Sequence, residues 1–239
     1  MLTACLGQSN SETAIYAHNF SNGSGGWNTA QTLLLPEDVP ADVHECWTSW
    51  LGKLACTMDV PVADDLMMLQ SPWWLDPNHA PPGAGYLSLL TWIYLDAGPG
   101  TSTEHLKEID LRGATLRLAI RIHNLDLKGG QLVFWFQTAM PDGRSVNYVY
   151  TGMPLSSRLI HPDELNLIEV ELSSDAAVWT CLGSAEDRTD TYGCIPLAEA
   201  ISRVDYDFGL IIFPVDASPL PEAQPSGTIY VQSIELVRK

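Results

Sequence analysis

Two apolar segments joined by a tight turn limit what this chain can fold into more than any other feature. Residues 131–138 read QLVFWFQT and are apolar at both alternating sets of positions, which is typical of a central β-strand buried on both faces. Residues 140–143 (MPDG) supply a turn, and residues 145–151 (SVNYVYT) return as the second strand of a hairpin. The chain therefore builds a sheet, in which we interpret Trp135 as a core residue.

Alternating segments recur along the rest of the chain. Within residues 114–122 the aliphatic residues alternate with Arg117 and Arg121, so one face of that strand is expected to meet solvent. Near the end of the chain the apolar positions change parity between Gln232 and Ser233, which predicts a β-bulge there. Residues 15–20 (IYAHNF) are expected to begin the ordered part of the chain, and further strands are predicted at residues 86–95, 167–172, 206–213 and 227–237.

Helices are expected to be few and short. Residues 196–203 (PLAEAISR) begin with a proline, which suits the first turn of a helix. Residues 31–70 show no clean period, and a short helix is expected near residues 42–52. No internal repeat or linker divides the chain.

Composition narrows the class to one large β-sandwich. The 18 glycines and 16 prolines suit many short strands and turns. Apolar residues make up 46% and charged residues 17% of the 239 residues, so the chain can bury a core. We therefore predict an all-β fold, an antiparallel β-sandwich of the jelly-roll type with one or two short helices. It forms a single domain over residues 15–239, after a flexible leader at residues 1–14.

The charge balance excludes two classes of partner. Twelve Lys and Arg against 29 Asp and Glu give a formal net charge of −17, and no basic run occurs. Neither a nucleic acid nor an anionic membrane surface is therefore expected as a partner. The apolar runs are shorter than the roughly 20 residues that span a bilayer, so no transmembrane segment is predicted.

The sequence does not decide how the five cysteines pair in disulfides. Cys46 with Cys56, and Cys181 with Cys194, are near enough in sequence to close two short loops, while other pairings and buried free thiols are the alternatives. The fifth, Cys5, ends the tetrad LTAC, which resembles the lipobox of bacterial lipoproteins without the apolar stretch that precedes it there. The chain is accordingly expected outside the cytoplasm, secreted or as a cell-surface lipoprotein through Cys5, with a chance match as the alternative.

Short motifs stand at the two ends of the strand pattern. Residues 20–27 read FSNGSGGW, and residues 227–236 read GTIYVQSIEL. The chain thereby resembles the jelly-roll carbohydrate-binding modules of the galactose-binding-domain-like superfamily, which often begin with F-[ED]-x-G…W and end with G-x-[IV]-x-[IVL]-D-x-[IV]-x-L. The resemblance covers the two ends and the strands from residue 110 onward. It implies a β-sandwich that binds a glycan without cleaving it.

The same resemblance bears on metals. In that superfamily, acidic residues at the two motif positions often help to hold a structural calcium, but here the positions are Ser21 and Gln232. Calcium prefers charged oxygen ligands, so we expect no cofactor, with a calcium held by backbone carbonyls and Asn22 as the alternative. No CxxC pair or comparable His and Cys spacing occurs, so no zinc site is expected either.

A proline-rich segment at residues 71–86 (SPWWLDPNHAPPGAGY) is the main candidate for a binding site. Its prolines fix φ, so we expect a stiff loop that leads into the following aromatic strand. Trp73 and Trp74 are adjacent, and in an extended segment one would face a ligand while the other anchors the loop in the core. Aromatic faces stack on sugar rings, and planar polar groups bind their hydroxyls. The candidate ligand-binding residues are Trp73, Trp74, Asp76, Asn78, His79, Tyr86, Trp92, Tyr94, Arg144 and Tyr148.

Two other functions stay open at this point. A jelly-roll glycoside hydrolase or polysaccharide lyase would use loop carboxylates or His79. Residues 108–110 (EID) begin an E-x-D-x-x-E pattern, but its third carboxylate is absent. A surface interaction protein without a small ligand is the third alternative. Glycan binding without catalysis is our leading interpretation, and we assign no catalytic residue.

Overall fold

Two antiparallel β-sheets enclose one hydrophobic core in the computed structural model of the chain. The structure describes residues 12–33, 43–48, 54–79, 84–93, 108–183, 192–215 and 224–238, and over 30–33, 43–48, 54–55, 57, 74–79 and 84–93 it describes the backbone alone. The predicted all-β antiparallel sandwich of the jelly-roll type is thereby confirmed.

The first sheet has six strands and is built around two long ones. Its strands are β1 (Thr13–His18), β5 (Val62–Ala63), β6 (Leu66–Gln70), β9 (Ala114–Asp126), β12 (Asn166–Glu171) and β15 (Ser226–Arg238). They lie in the order β12-β9-β15-β6-β5, and β1 also pairs with β15. On β9, Leu116, Leu118 and Ile120 enter the core while Arg117 and Arg121 alternate with them outside, as the alternation predicts.

The second sheet has nine strands and carries most of the aromatic residues. Its strands are β2 (Trp27–Leu33), β3 (Val43–Thr48), β4 (Leu54–Asp59), β7 (Trp74–His79), β8 (Ala84–Ile93), β10 (Gln131–Ala139), β11 (Ser145–Tyr150), β13 (Trp179–Cys181) and β14 (Asp207–Val215). They lie in the order β13-β11-β10-β14-β8-β2-β4-β3, and β7 pairs with β8. The predicted hairpin is confirmed as β10 and β11.

Aromatic rings join the two sheets through the core. The ring centroid of Phe208 on β14 lies 5.5 Å from that of Tyr16 on β1 and 5.5 Å from that of Trp27 on β2, both in edge-on geometry. The Trp27 indole is fully buried, and its Nε1–H donates to the Tyr16 hydroxyl oxygen at 2.7 Å. Trp27 is therefore a core residue, as predicted, and its polar group is satisfied within that core.

Two local predictions are confirmed by the backbone. The pairing of β15 with β9 shifts register between Val231 and Ser233, which is the β-bulge predicted from the change of parity. A short helix, α1 (Leu197–Ala200), follows Pro196 and buries Leu197 and Ala200. Two 3-10 helices also occur, at Leu155–Arg158 and Ala176–Val178.

Two other predictions are wrong, and both underestimated the extent of the sheet. The helix expected near residues 42–52 is the strand β3 over its described part, because its backbone pairs with β4. The loop expected at residues 71–86 contains β7 and the start of β8. Pro77 is accommodated because the pairing of β7 with β8 shifts register between Asp76 and His79.

The amino terminus and the cysteines agree with the predictions in part. β1 begins at Thr13, two residues before the predicted domain start, while Cys5 and the rest of the leader lie outside the described residues. Cys181 and Cys194 form a disulfide. Cys56 is also disulfide-bonded, and its backbone lies directly opposite Cys46 in the pairing of β3 with β4. Across the described part of the chain, every helix is too short or too polar to cross a bilayer.

Candidate functional site

Three neighbouring strands of the nine-stranded sheet present two different faces. Along β10, β11 and β14 alternate residues enter the core, and the residues between them lie on the opposite side, which we call the outer face. The core set comprises Phe134, Phe136, Val146, Tyr148, Tyr150, Phe208, Leu210 and Ile212. The outer-face set comprises Val133, Trp135, Gln137, Asn147, Val149, Asp207, Gly209 and Ile211.

Three polar side chains form a row across these strands on the outer face. Gln137 lies directly opposite Asp207 in the pairing of β10 with β14, and directly opposite Asn147 in the pairing of β10 with β11. Directly opposite residues share a face of the sheet and lie close together. We call Asp207, Gln137 and Asn147 the polar row. It is buried, since the three residues are 2%, 8% and 2% exposed, respectively.

Hydrogen bonding within the polar row is incomplete. Gln137 Nε2 donates to Ser145 Oγ at 2.7 Å. By contrast, Asp207 Oδ1 and Asn147 Nδ2 are buried without a hydrogen-bond partner in the described part of the chain. Burial raises the pKa of the Asp207 carboxyl well above its ordinary value. A buried polar group left unsatisfied costs about 1–3 kcal/mol, so the row favours the binding of a polar molecule.

Tryptophan positions flank the polar row on the same face. Trp135 lies directly opposite Gly209 on β14, and Gly209 lies directly opposite Trp92 on β8. Trp92 in turn pairs with Asn28 on β2. The interpretation of Trp135 as a core residue is confirmed by its burial, since its side chain is 3% exposed, although its position in the strand belongs to the outer face. Two tryptophan positions thus stand on either side of a glycine.

Backbone register brings three more predicted residues to this face. Ile211 on β14 lies opposite Ser88 on β8, and Ser88 lies opposite Trp74 on β7. Two residues farther along the same pair of strands, Asp76 lies opposite Tyr86. Trp74, Asp76 and Tyr86 therefore occupy outer-face positions of the sheet that carries the polar row.

Two of the predicted ligand-binding residues lie in the core instead. Trp73 is 4% exposed and belongs to the core cluster, so it is the one of the two adjacent tryptophans that anchors the segment. Tyr148 packs against Phe136 and Trp179, and its hydroxyl donates to the Ile195 carbonyl oxygen at 2.6 Å. Neither side chain is available to a ligand on the outer face, because both occupy inward positions.

The remaining predicted residues lie at the ends of strands or beyond them. Arg144 stands at the β10–β11 turn, where its guanidinium binds the Asp142 carboxylate at 2.7 Å and lowers the pKa of that carboxyl. Asn78 and His79 belong to β7, and His79 lies opposite Ala84. Tyr94 lies outside the described residues.

Sequence reasoning missed the polar row. Each member is the polar exception within an otherwise apolar strand: Gln137 in QLVFWFQT, Asn147 in SVNYVYT and Asp207 in YDFGLIIF. In each strand the polar residue alternates with the core residues. Because side chains alternate between the two faces of a strand, this pattern places each of the three on the outer face. Only the strand pairing shows that they lie side by side, because three strands distant in sequence contribute one residue each.

Sequence comparison finds no counterpart: no protein-family model and no curated protein matches the chain. Three solved structures are similar at low levels. The L4b domain of human laminin alpha-2 matches with TM-score 0.36 and 10% identity, over 89% of this chain and 98% of that one. The laminarinase catalytic domain from Thermotoga maritima MSB8 matches with TM-score 0.38 and 10% identity, over 96% and 99%. The xylan-binding module CBM15 matches with TM-score 0.29 and 11% identity, over 96% and 97%.

Similarity at this level does not bear on function. The class of protein, an all-β antiparallel sandwich, rests on the strand pairing within the chain itself. The function has to be argued from the outer face.

Proposed function

We propose that the chain binds a carbohydrate, without cleaving it, on the outer face of the nine-stranded sheet. The observation that carries this proposal is the polar row beside Trp135, in which Asp207 Oδ1 and Asn147 Nδ2 are buried and find no hydrogen-bond partner among the described residues. Each hydroxyl group of a sugar both donates and accepts a hydrogen bond, so the hydroxyls along a sugar chain can satisfy a carboxyl and an amide together. An indole next to such groups offers the apolar surface on which sugar rings stack.

The row suits an oligosaccharide better than a single sugar. Neighbouring strands lie about 4.8 Å apart, so Asp207 and Asn147, two strands apart, are separated by roughly twice that distance. Gln137 lies between them and presents a third planar polar group. The register adds the positions of Trp74, Asp76, Tyr86 and Trp92 to the same face, which lengthens the surface across β14, β8 and β7.

Burial sets the affinity to be expected. Because the polar row is almost inaccessible, a ligand reaches it only when the outer face opens, and the free energy of opening weakens the observed binding. We therefore expect weak to moderate affinity rather than tight binding. The disulfide between Cys181 and Cys194 supports a location outside the cytoplasm, where such bonds persist. Attachment through a lipidated Cys5 remains part of this proposal.

Isothermal titration calorimetry with a panel of oligosaccharides tests the proposal. Gln137→Leu removes the middle of the polar row, and we expect it to weaken binding about tenfold or more while the melting temperature is kept. Gln232→Leu is the matched control, because it makes the same change at an exposed position of the six-stranded sheet. It should bind as the unmodified chain does.

Three outcomes would contradict the proposal. If no oligosaccharide binds, the two unsatisfied atoms are met by buried water alone, and the outer face has no glycan role. If Gln137→Leu and Gln232→Leu bind equally well, the site lies elsewhere. If prolonged incubation shortens the bound oligosaccharide, the chain is a glycoside hydrolase or polysaccharide lyase instead of a binding module.

A further inference from the structure

One member of the polar row differs from the others in that it can carry a charge. Asp207 is 2% exposed, and its Oδ1 receives no hydrogen bond from any described residue. An ionised carboxylate in such a place would have lost its water, and its Oδ1 would have no donor among the described residues, which is a costly state for a charged group. The protonated acid avoids that cost and offers one O–H donor together with an acceptor oxygen.

We infer that Asp207 is a specificity-determining residue that binds the ligand as a neutral hydrogen-bond donor and thereby restricts the site to uncharged sugars. This inference rests on the proposed carbohydrate-binding function. It names the class of ligand: neutral oligosaccharides are accepted, while uronic acids and sulfated sugars are rejected.

Among the described residues, the ionisable groups on the elements packed around Asp207 give it no cation. On its own segment, the Asp205 carboxylate accepts hydrogen bonds from Thr138 Oγ1 and the Ala139 N–H and pairs with Arg203 at 3.2 Å. That arrangement engages the Arg203 guanidinium. Burial accordingly raises the pKa of Asp207, and no charge among the described residues counteracts that rise.

On the neighbouring strands, no described residue that faces Asp207 is a cation, and the pairing of β8 with β14 ends at Trp92 opposite Gly209, two residues away from Asp207. From β10 it faces Gln137, beyond which Asn147 follows on β11. In the sequence of β8, Ala84–Ile93, Tyr86 is the one ionisable residue, and it pairs with Asp76. At the β10–β11 turn, Arg144 is already bound to Asp142.

A charged sugar would therefore meet an unfavourable site. Its carboxylate or sulfate would have to leave water and enter a buried row in which no described cation replaces the lost hydration. The formal net charge of −17 adds a general repulsion of anions. A neutral sugar meets neither penalty, and it can accept the Asp207 O–H and the Asn147 N–H with two hydroxyl oxygens. Discrimination by penalising the wrong ligand is a common source of specificity.

Calorimetry on matched ligands tests the inference. Neutral xylo-, cello-, laminari- and manno-oligosaccharides are compared with oligogalacturonate and with a heparin fragment of similar length. We expect at least one neutral ligand to bind and the acidic ligands to bind about tenfold more weakly or not at all. Asp207→Asn keeps a planar donor without charge, so it should retain binding at neutral pH. Asp64→Asn, at an exposed turn between β5 and β6, is the control.

The pH dependence gives the second readout. Binding of the neutral ligand should fall as the pH rises through the pKa of Asp207, because ionisation removes the donor. Asp207→Asn should bind independently of pH over the same range, and Asp64→Asn should follow the unmodified chain. Carbon-13 NMR of the side-chain carboxyl carbons measures the protonation of Asp207 directly, with or without ligand, and should find it protonated at neutral pH.

The possible failures can be told apart. If no oligosaccharide binds at all, the proposed function and this inference fall together. If neutral and acidic ligands bind equally, or if Asp207→Asn loses binding at neutral pH while Asp64→Asn keeps it, carbohydrate binding stands and the inference alone is wrong. NMR that shows an ionised Asp207 at neutral pH also overturns the inference, whatever the binding data show.

Discussion

The two faces of β10, β11 and β14 are built from the same strands, yet the hydrogen bonding of their buried polar groups differs. On the core face, the Trp27 Nε1–H meets the Tyr16 hydroxyl, the Tyr148 hydroxyl meets a carbonyl oxygen, and the Trp179 Nε1–H meets another at 2.7 Å. On the outer face, Asp207 Oδ1 and Asn147 Nδ2 are as deeply buried and have no hydrogen-bond partner among the described residues. The contrast concerns these three strands, because the core has an exception just before β7, where the buried Trp73 Nε1 also lacks a described partner.

This difference in hydrogen bonding indicates that the two faces have different roles. A polar group satisfied inside the chain contributes to a unique packed structure, whereas an unsatisfied one lowers stability and has to be explained. Residues that reduce stability without compensation inside the fold are expected at functional sites. We therefore assign stability to the core face and ligand binding to the outer face, and substitutions on the two faces should have opposite signatures.

The largest expected effect is on the core face, at Phe208. Its ring contacts Tyr16, Trp27 and Phe134 and is fully buried. Phe208→Ala should reduce the free energy of unfolding by about 3–5 kcal/mol, because it leaves a cavity between the sheets. Chemical denaturation measures this loss. Leu167→Ala, at a side chain that is 80% exposed, is the control and should change stability by less than about 0.5 kcal/mol. Equal effects of the two would contradict the assignment of the core.

A smaller effect is expected when a satisfied pair on the core face is broken. Tyr16→Phe deletes the hydroxyl that accepts the Trp27 Nε1–H and leaves the indole donor buried without a partner. The loss should be about 1–3 kcal/mol, the cost of an unsatisfied buried donor. Thermal and chemical unfolding measure it. Stability unchanged by this variant would mean that the core face tolerates unsatisfied groups as well, and the contrast between the faces would disappear.

How far the sequence predicts these faces depends on how local the signal is. The core face of β9 follows from the alternation of its aliphatic residues with Arg117 and Arg121, and the bulge near Gln232 follows from a change of parity, because both are properties of one segment. The helix expected near residues 42–52 was wrong because β3 gains its strand structure from pairing with β4, which no local pattern reports.

The binding site is harder to predict for the same reason. Trp73 and Trp74 are adjacent, so alternation correctly separates them, and Trp73 proves to be the core anchor. Alternation alone could not bring Asp207 beside Gln137, since that contact depends on which strands pair and in which register. Trp135 illustrates the limit most clearly, because an apolar residue in an apolar strand gives no sign of which face is the core.

The third effect should depend on pH. Because the folded pKa of Asp207 is raised above its unfolded value of about 3.9, the folded chain keeps a proton that the unfolded chain releases, and stability falls as the pH rises above that value. Asp207→Asn removes this titration. The variant should gain stability relative to the unmodified chain as the pH increases from about 4 toward the folded pKa.

Denaturation at several pH values measures this difference, with Asp64→Asn as the control that should show none of it. A stability difference that stays constant with pH would mean that Asp207 ionises normally in the folded chain. The outer face would then hold a charged carboxylate, and its contrast with the neutral core face would be smaller than we infer.

The smallest effect on stability, and the clearest contrast with Phe208, is expected at Asn147. Asn147→Leu replaces an amide whose Nδ2 has no partner with an apolar side chain of similar shape, next to Val149 and Trp135 on the outer face. Removing an unsatisfied buried group is close to neutral or stabilising, so the free energy of unfolding should change by less than about 1 kcal/mol or rise. Oligosaccharide binding should nevertheless be lost, because the amide end of the polar row is gone. Chemical unfolding measures the free energy of unfolding, and calorimetry on the same sample measures the affinity for the oligosaccharide. A variant that keeps its stability and loses its ligand would assign Asn147 to function, whereas one that loses stability as Phe208→Ala does would show that the polar row belongs to the structure of the fold.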